Sequence, residues 1–238
     1  MPAIKQYEMP LLRVEIAIQR MINNVLCTLF IKREEQPYKG KWALPGGLVR
    51  IDKDTTLEDA ARRVAFERLN ASLPYLIQFK TIGGADRDPR ATHGWSVAVV
   101  YRALVNERSF FEPLQGKRVI ALRWMNDVEI DQETPNIAFD HASVALKAIE
   151  KTRDEVAELK LPTGYLPDVF TLPELQRICE GMLGKKLDKS SFRRKLRDRG
   201  LVSSHDKKQS GVKNRPATYY SFTSEEDFKS STDDDECL

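Results

Sequence analysis

Cysteine is scarce in this chain of 238 residues, which has only Cys27, Cys179 and Cys237. Odd in number and widely spaced, they form neither a metal-knuckle spacing nor a disulfide framework, which suits a reducing, cytoplasmic setting. Long apolar runs are missing too, and none approaches the roughly 18 residues needed to span a bilayer. The opening stretch MPAIKQYEMPLLRVEIAI carries charges where a signal peptide would need an apolar core. No membrane partner is therefore expected. The net charge is small, +3, but that balance hides a segregation.

Residues 1–161 balance at +2, residues 162–222 at +7, with 13 basic and 6 acidic side chains, and residues 223–238 at −6. With 41% hydrophobic and 31% charged residues, the chain reads as globular and long enough for two domains. The expected organisation is a near-neutral domain over 1–160, a basic module over 161–222, and an acidic, disordered tail over 223–238.

The first 160 residues alternate strand and helix signals. V14-E-I-A-I-Q-R20 and V25-L-C-T-L-F-I-K32 are β-rich runs around a hairpin turn, M21-I-N-N24. A tight glycine-rich run, G40-K-W-A-L-P-G-G47, precedes a helix over 56–69 that Thr55 or Thr56 caps. Strands follow at 76–82, 95–105 and 119–125, then a long helix from Ala138 to about Lys160. Strands with two helices predict an α+β fold, an α/β/α sandwich with helices on both sides of a sheet.

The stretch LPTGYLP, from Leu161 to Pro167, marks a boundary. Beyond it, Thr171 with Glu174 forms a capping box opening a helix that ends at Gly184. Asp188 caps a second helix, K189-S-S-F-R-R-K-L-R-D-R199, and two short β-runs surround a basic loop. This order predicts an α+β winged helix-turn-helix domain. In the second helix Phe192 and Leu196 make a buried stripe, while Lys189, Ser190, Arg193, Arg194 and Arg197 face outward. A recognition helix needs that division: an anchor to its own domain, and arginines for phosphates and base edges. Lys207, Lys208, Lys213 and Arg215 would place positive charge on the wing.

The loop and helix from Gly40 to Ala71 resemble the Nudix signature, G-x5-E-x7-R-E-U-x-E-E-x-G-U with U aliphatic. Gly47, Arg63 and Glu67 match the opening glycine, the arginine and one helical glutamate. The other two helical glutamates are replaced by Val64 and Arg68, Thr55 stands near the loop glutamate, and Asn70 replaces the last glycine. Family members use those carboxylates to hold magnesium against a diphosphate, and magnesium wants oxygen ligands in near-octahedral geometry. Val64 offers no ligand, and Arg68 brings a charge that repels the ion. No bound metal, no required cofactor and no catalytic residue are therefore expected. Arg63 and Glu67 read equally as an ordinary i,i+4 pair or as groups that shape a ligand site.

The join of such a domain to V169-F-T-L-P-E-L-Q-R177 and L187-D-K-S-S-F-R-R-K-L196 resembles the Nudix-related transcriptional regulators of NAD metabolism, the NrtR type. Other points of likeness are K41-W-A-L-P-G-G-L-V49, R87-D-P-R90 and A138-F-D-H141. The resemblance implies ADP-ribose or a related nucleotide as effector, and a homodimer on palindromic double-stranded operator DNA near NAD-biosynthesis genes. Chemically, Arg50, Arg87 and Arg90 are candidates for the diphosphate, and Gly46 and Gly47 allow close backbone approach. Asp86, Asp88 and Glu67 are candidates for ribose hydroxyls, and Trp42, Trp95 or Phe139 for packing on adenine. Asp140 and His141 read equally as a helix cap or as ligand contacts. The alternative is an active Nudix hydrolase of ADP-ribose-like nucleoside diphosphates, with metal ligands supplied from elsewhere in the chain.

Overall fold

In a computed structural model of the chain, the described residues are 9–73, 75–92, 94–106, 109–113, 118–160, 165–208 and 217–223. The chain divides into two compact units, residues 1–22 with 26–152 and residues 23–25 with 153–238.

The first unit is built on β1 (Leu11–Ile22) and β2 (Val25–Arg33), which a two-residue turn connects. Asn23 and Asn24 hold φ of 48° and 66° there, the left-handed pair that a tight hairpin needs and that asparagine tolerates. The glycine-rich run forms two short strands, β3 (Trp42–Ala43) and β4 (Gly46–Leu48). These are followed by α1 (Leu57–Leu69), β5 (Ile77–Ala85), β6 (Trp95–Leu104) and β7 (Val119–Met125). The sheet has the order β3-β2-β1-β6-β5, with β4 added on β1 and β7 on β2. β1 runs parallel to β6, while β5 is antiparallel to β6 and β7 to β2.

β1 sorts its side chains by parity. Val14, Ile16 and Ile18 join the apolar core beneath α1, with Ala60, Ala61, Val64, Ala65 and Leu69. Glu15 and Gln19 point the other way, toward α3 (His141–Ala157): Glu15 meets His141, and the Gln19 carboxamide oxygen accepts from the Thr152 hydroxyl at 2.6 Å. The sheet is therefore covered on both faces, as the sandwich reading expects. Thr56 caps α1 in a capping box with Asp59, and Asn70 ends it with φ of 51°. The short helix α2 (Asp127–Glu133) and the 3-10 turn Thr134–Asn136 stand where the sequence reading placed no element. α3 begins three residues later than the alanine-rich composition suggests, because Ala138–Asp140 forms a turn that carries site residues.

The second unit holds β8 (Phe170–Thr171), α4 (Leu172–Leu183), α5 (Lys189–Asp198), β9 (Val202–Lys208) and β10 (Thr218–Phe222). The three strands pair in the order β8-β10-β9. The expected caps are all present: Thr171 with Glu174, Gly184 at φ 65°, and Asp188 accepting from the Ser191 N–H. Helix, turn, helix and a β-hairpin give the winged helix-turn-helix arrangement.

Candidate functional site

The first unit opens a cleft between the β4–α1 segment and α1 itself. Gly47 lines it because nothing larger fits: a Cβ there would lie 2.8 Å from the Val64 side chain. Val64 is 1% exposed and belongs to the core. Arg63 ties the segment to the helix. Its guanidinium grips Asp54 through two hydrogen bonds of 2.6 and 2.8 Å, donates to the Leu48 carbonyl at 2.9 Å, and reaches Glu67 at 3.2 Å. The hydrogen bond to Arg63 holds the buried Asp54 carboxyl below the usual carboxylate range. Arg63 is thus chiefly a clamp on residues 48–54, with Glu67 as its weaker partner.

Two adjoining cavities, of about 610 and 110 Å³, share Arg13, Arg68, Arg90 and Arg118 on their walls. Together they are lined by eight cationic side chains against three carboxylates. Arg13 is buried on β1, and burial together with the neighbouring Arg90 lowers its guanidinium to about 10, so it stays charged at neutral pH. Asp88 anchors the pair, accepting from Arg90 at 2.7 and 2.8 Å and lying 3.3 Å from Arg13. Beside them Phe139 holds φ of 57°, an uncommon conformation for an aromatic residue. It sets its ring 5.1 Å from the Arg33 and 5.2 Å from the Arg90 guanidinium.

Behind this cleft lies a buried polar network. The Arg87 guanidinium donates to both oxygens of Asp140 at 2.8 Å and to both oxygens of Glu15 at 2.9 and 3.1 Å. The His141 Nδ1 accepts from the Leu44 N–H at 2.9 Å, so its Nε2 carries the proton offered to Glu15 at 3.2 Å. Burial alone would raise the Glu15 carboxyl, but His141 and Arg87 reverse this and bring it to about 2. Glu15, Asp140 and His141 stand close enough to share a cation. The Arg87 guanidinium already fills that role, so the cluster does not suit a metal.

Of the residues singled out from sequence, Gly47, Arg50, Arg63, Glu67 and Arg90 line the larger cavity, and Gly46, Arg90 and His141 the smaller. Arg87 and Asp140 meet behind it, engaged with Glu15. Asp86 lies exposed on the loop after β5, outside both cavities. Trp42 is half-buried near Lys32, and Trp95 is 49% exposed. Sequence reasoning missed Arg13, Glu15, Arg33, Asp54 and Arg118. Two of these had a signal: Arg13 and Glu15 are alternate charges in the stretch Leu11–Ile18, whose other residues are apolar.

In the second unit, Phe192 and Leu196 are buried, Ser190, Arg194 and Arg197 are exposed on the other side of α5, and Lys189 is exposed at its N-terminus. Arg193 is half-buried and with Lys189 borders a cavity of about 510 Å³ against Pro173 and Tyr220. Its Nε is buried with no hydrogen-bond partner among the described residues. Lys213 and Arg215, the expected wing cations, lie outside the described residues.

A family model of the NUDIX domain matches residues 15–146, and a model of the NrtR DNA-binding winged helix domain matches residues 162–222. The ADPR responsive transcriptional repressor NtrR of Acinetobacter baylyi is 37% identical over 217 residues, 91% of this chain and 83% of its own length. The chain belongs to the NrtR family of Nudix-domain proteins. The NrtR of Shewanella oneidensis, in a crystal structure complexed with a 27mer DNA, is 30% identical with a TM-score of 0.71, covering 89% of this chain and 93% of that one. The NUDIX domain of the same NrtR, complexed with ADP ribose, is 29% identical with a TM-score of 0.55, covering 61% and 90%.

Within this NrtR-family chain, the helix matching the metal frame of Nudix hydrolases brings one carboxylate, Glu67, to the larger cavity. Val64 is sealed in the core, Glu67 is paired with Arg63, and Arg68 lines both cavities with a positive charge. Among the described residues, no helix is long and apolar enough to cross a membrane.

Proposed function

We propose that this chain is a transcriptional repressor of NAD-biosynthesis genes that binds palindromic operator DNA as a homodimer in the cytoplasm. ADP-ribose, or a related nucleotide, is its effector. The observation that carries the reading is the pairing of two surfaces in one chain: a cleft walled by arginines and a separate helix presenting arginines outward. The first suits a diphosphate, since guanidinium forks match phosphate oxygens. The second suits a major groove, with Lys189, Ser190, Arg194 and Arg197 reaching phosphates and base edges and Lys213 and Arg215 assisting from the wing.

In this reading the effector contacts come from Gly46, Gly47, Arg50, Arg63, Glu67 and Arg90, with the buried His141 backing the smaller cavity. Phe139 packs on the adenine, and Arg87 with Asp140 holds the wall. The chain is a sensor and not an enzyme, because a sensor that rapidly destroyed its signal would not report its level. Two domains in the dimer set the recognition helices about 34–36 Å apart, the spacing of successive major-groove faces. ADP-ribose favours an arrangement that loses this spacing, and near-complete release needs a differential affinity on the order of 10⁴. The resemblance to a repressor described as ADPR responsive supports this assignment.

Mobility-shift titration on a candidate operator tests it, with operator affinity expected to fall as ADP-ribose is added. Unchanged affinity at saturating ADP-ribose would remove the effector. AMP release from ADP-ribose at roughly 1 s⁻¹ or faster would restore the hydrolase alternative.

A further inference from the structure

The arginines of the cleft suggest how an anion is held where related enzymes use a metal. A divalent cation normally does two things at such a site: it is fixed by carboxylates, and it neutralises phosphate oxygens. On α1 the first function is gone. The helix position of one metal-binding glutamate is the buried Val64, that of another is Arg68, and the retained Glu67 lies 3.2 Å from Arg63.

The second function has a visible substitute. Arg68 reaches the wall shared by both cavities, where Arg13, Arg90 and Arg118 converge. These cations crowd one another: burial and then Arg118 lower the Arg68 guanidinium, and burial and then Arg90 lower that of Arg33. The carboxylates nearby are already engaged, Asp88 by Arg13 and Arg90 and Glu35 by Arg118. Arg118 also holds φ of 67°, a conformation that costs energy for a residue with a side chain and is retained where the surroundings demand it. With eight cationic side chains against three carboxylates on the walls of the two cavities, the cleft keeps an excess of positive charge that an anion with several charges would offset.

We propose that Arg68, together with Arg13, Arg90 and Arg118, takes the electrostatic place of the divalent cation, so that the cleft binds a diphosphate without any metal. The inference rests on the cleft being the effector site and specifies how that site recognises its ligand. A guanidinium presents several fixed N–H donors to phosphate oxygens, and unlike a bound ion it cannot be removed by a chelator. An arginine-held diphosphate also lacks the polarising ion and metal-bound water that cleavage would need.

Isothermal titration of the full-length chain tests this with two probes, inorganic pyrophosphate and ADP-ribose, each in excess EDTA and in excess magnesium. The expected result is binding in EDTA, with affinity within about twofold of that in magnesium. Arg68→Gln should weaken pyrophosphate binding by about 10- to 100-fold, the loss typical of one charged hydrogen-bond donor. Arg68→Glu should do so too, and should regain part of the affinity when magnesium is added. A melting curve for each variant separates lost binding from lost folding, and Arg68→Lys, which keeps the charge, should recover much of the affinity. Binding that vanishes in EDTA, or an Arg68→Gln variant that binds pyrophosphate as tightly as the parent, overturns the inference. Metal-free binding of pyrophosphate without binding of ADP-ribose would uphold it while removing ADP-ribose as the effector.

Discussion

Replacing Arg87 by methionine should unsettle the first unit more than any other single change behind the cleft. The guanidinium holds two carboxylates: Glu15, whose side chain is 1% exposed, and Asp140, at 35%. Methionine keeps some of the volume and none of the charge, so Glu15 is left buried with only the His141 N–H. Breaking a buried pair by removing one partner typically costs about 3–5 kcal/mol. For a chain of this size that corresponds to a fall in Tm of roughly 6–20 °C.

The pH dependence is more diagnostic than the size of that loss. In the parent the Glu15 carboxyl sits at about 2 against an ordinary 4.5. A carboxyl lowered on folding adds stability that is fully present above its unfolded value and disappears as pH falls toward the folded one. By linkage, that stabilisation is on the order of 3 kcal/mol. In the variant the lowering by Arg87 is lost while burial and the His141 contact remain, so the carboxyl rises and the deficit should be greatest near pH 7 and shrink as pH falls toward 4. Urea unfolding at pH 7, 5.5 and 4 measures this directly. A deficit below about 1 kcal/mol at pH 7, or one of equal size at all three pH values, would refute the account of the network.

Arg194→Ala should weaken operator binding by a contribution of about 1–3 kcal/mol if it reads a base edge, while leaving ADP-ribose affinity unchanged. Fluorescence anisotropy and calorimetry on the same preparation check both, and a parallel fall would refute the division of labour. Gly47→Ala should cost about 1–3 kcal/mol by overpacking against Val64. Most of that loss should return in Gly47→Ala/Val64→Ala, as read by denaturant midpoints. Thr171→Ala removes the hydroxyl that accepts from the Glu174 N–H at the start of α4. The second unit should lose about 1 kcal/mol, visible as a lower melting temperature.

What the sequence disclosed was mostly local. Thr171 with Glu174, Gly184 and Asp188 could be placed, and the cap of α1 narrowed to Thr55 or Thr56, because a cap is decided by residues within one turn. Phe192 and Leu196 followed from helical spacing alone. The cleft was harder, since its walls are assembled by pairing between distant strands. Arg33 ends β2 opposite Val119 of β7, which brings Arg118 to the rim, and no spacing rule relates those positions. Asp54 was missed because a loop carboxylate carries no periodicity, although Arg63 needed such a partner. The helix α2 escaped because seven residues with one buried side chain, Ile130, leave too little pattern to detect.

The two-sided chemistry of β1 has a consequence for how this protein reaches its native pairing. Because odd positions carry Arg13, Glu15 and Gln19 while even ones carry Val14, Ile16 and Ile18, sliding the strand one place would drive an ion pair's worth of charge into oil and turn three aliphatics toward the polar wall. Each misaligned arrangement is thus penalised on both faces at once. The same residues that prepare the cleft also act as a proofreading ruler for the central sheet.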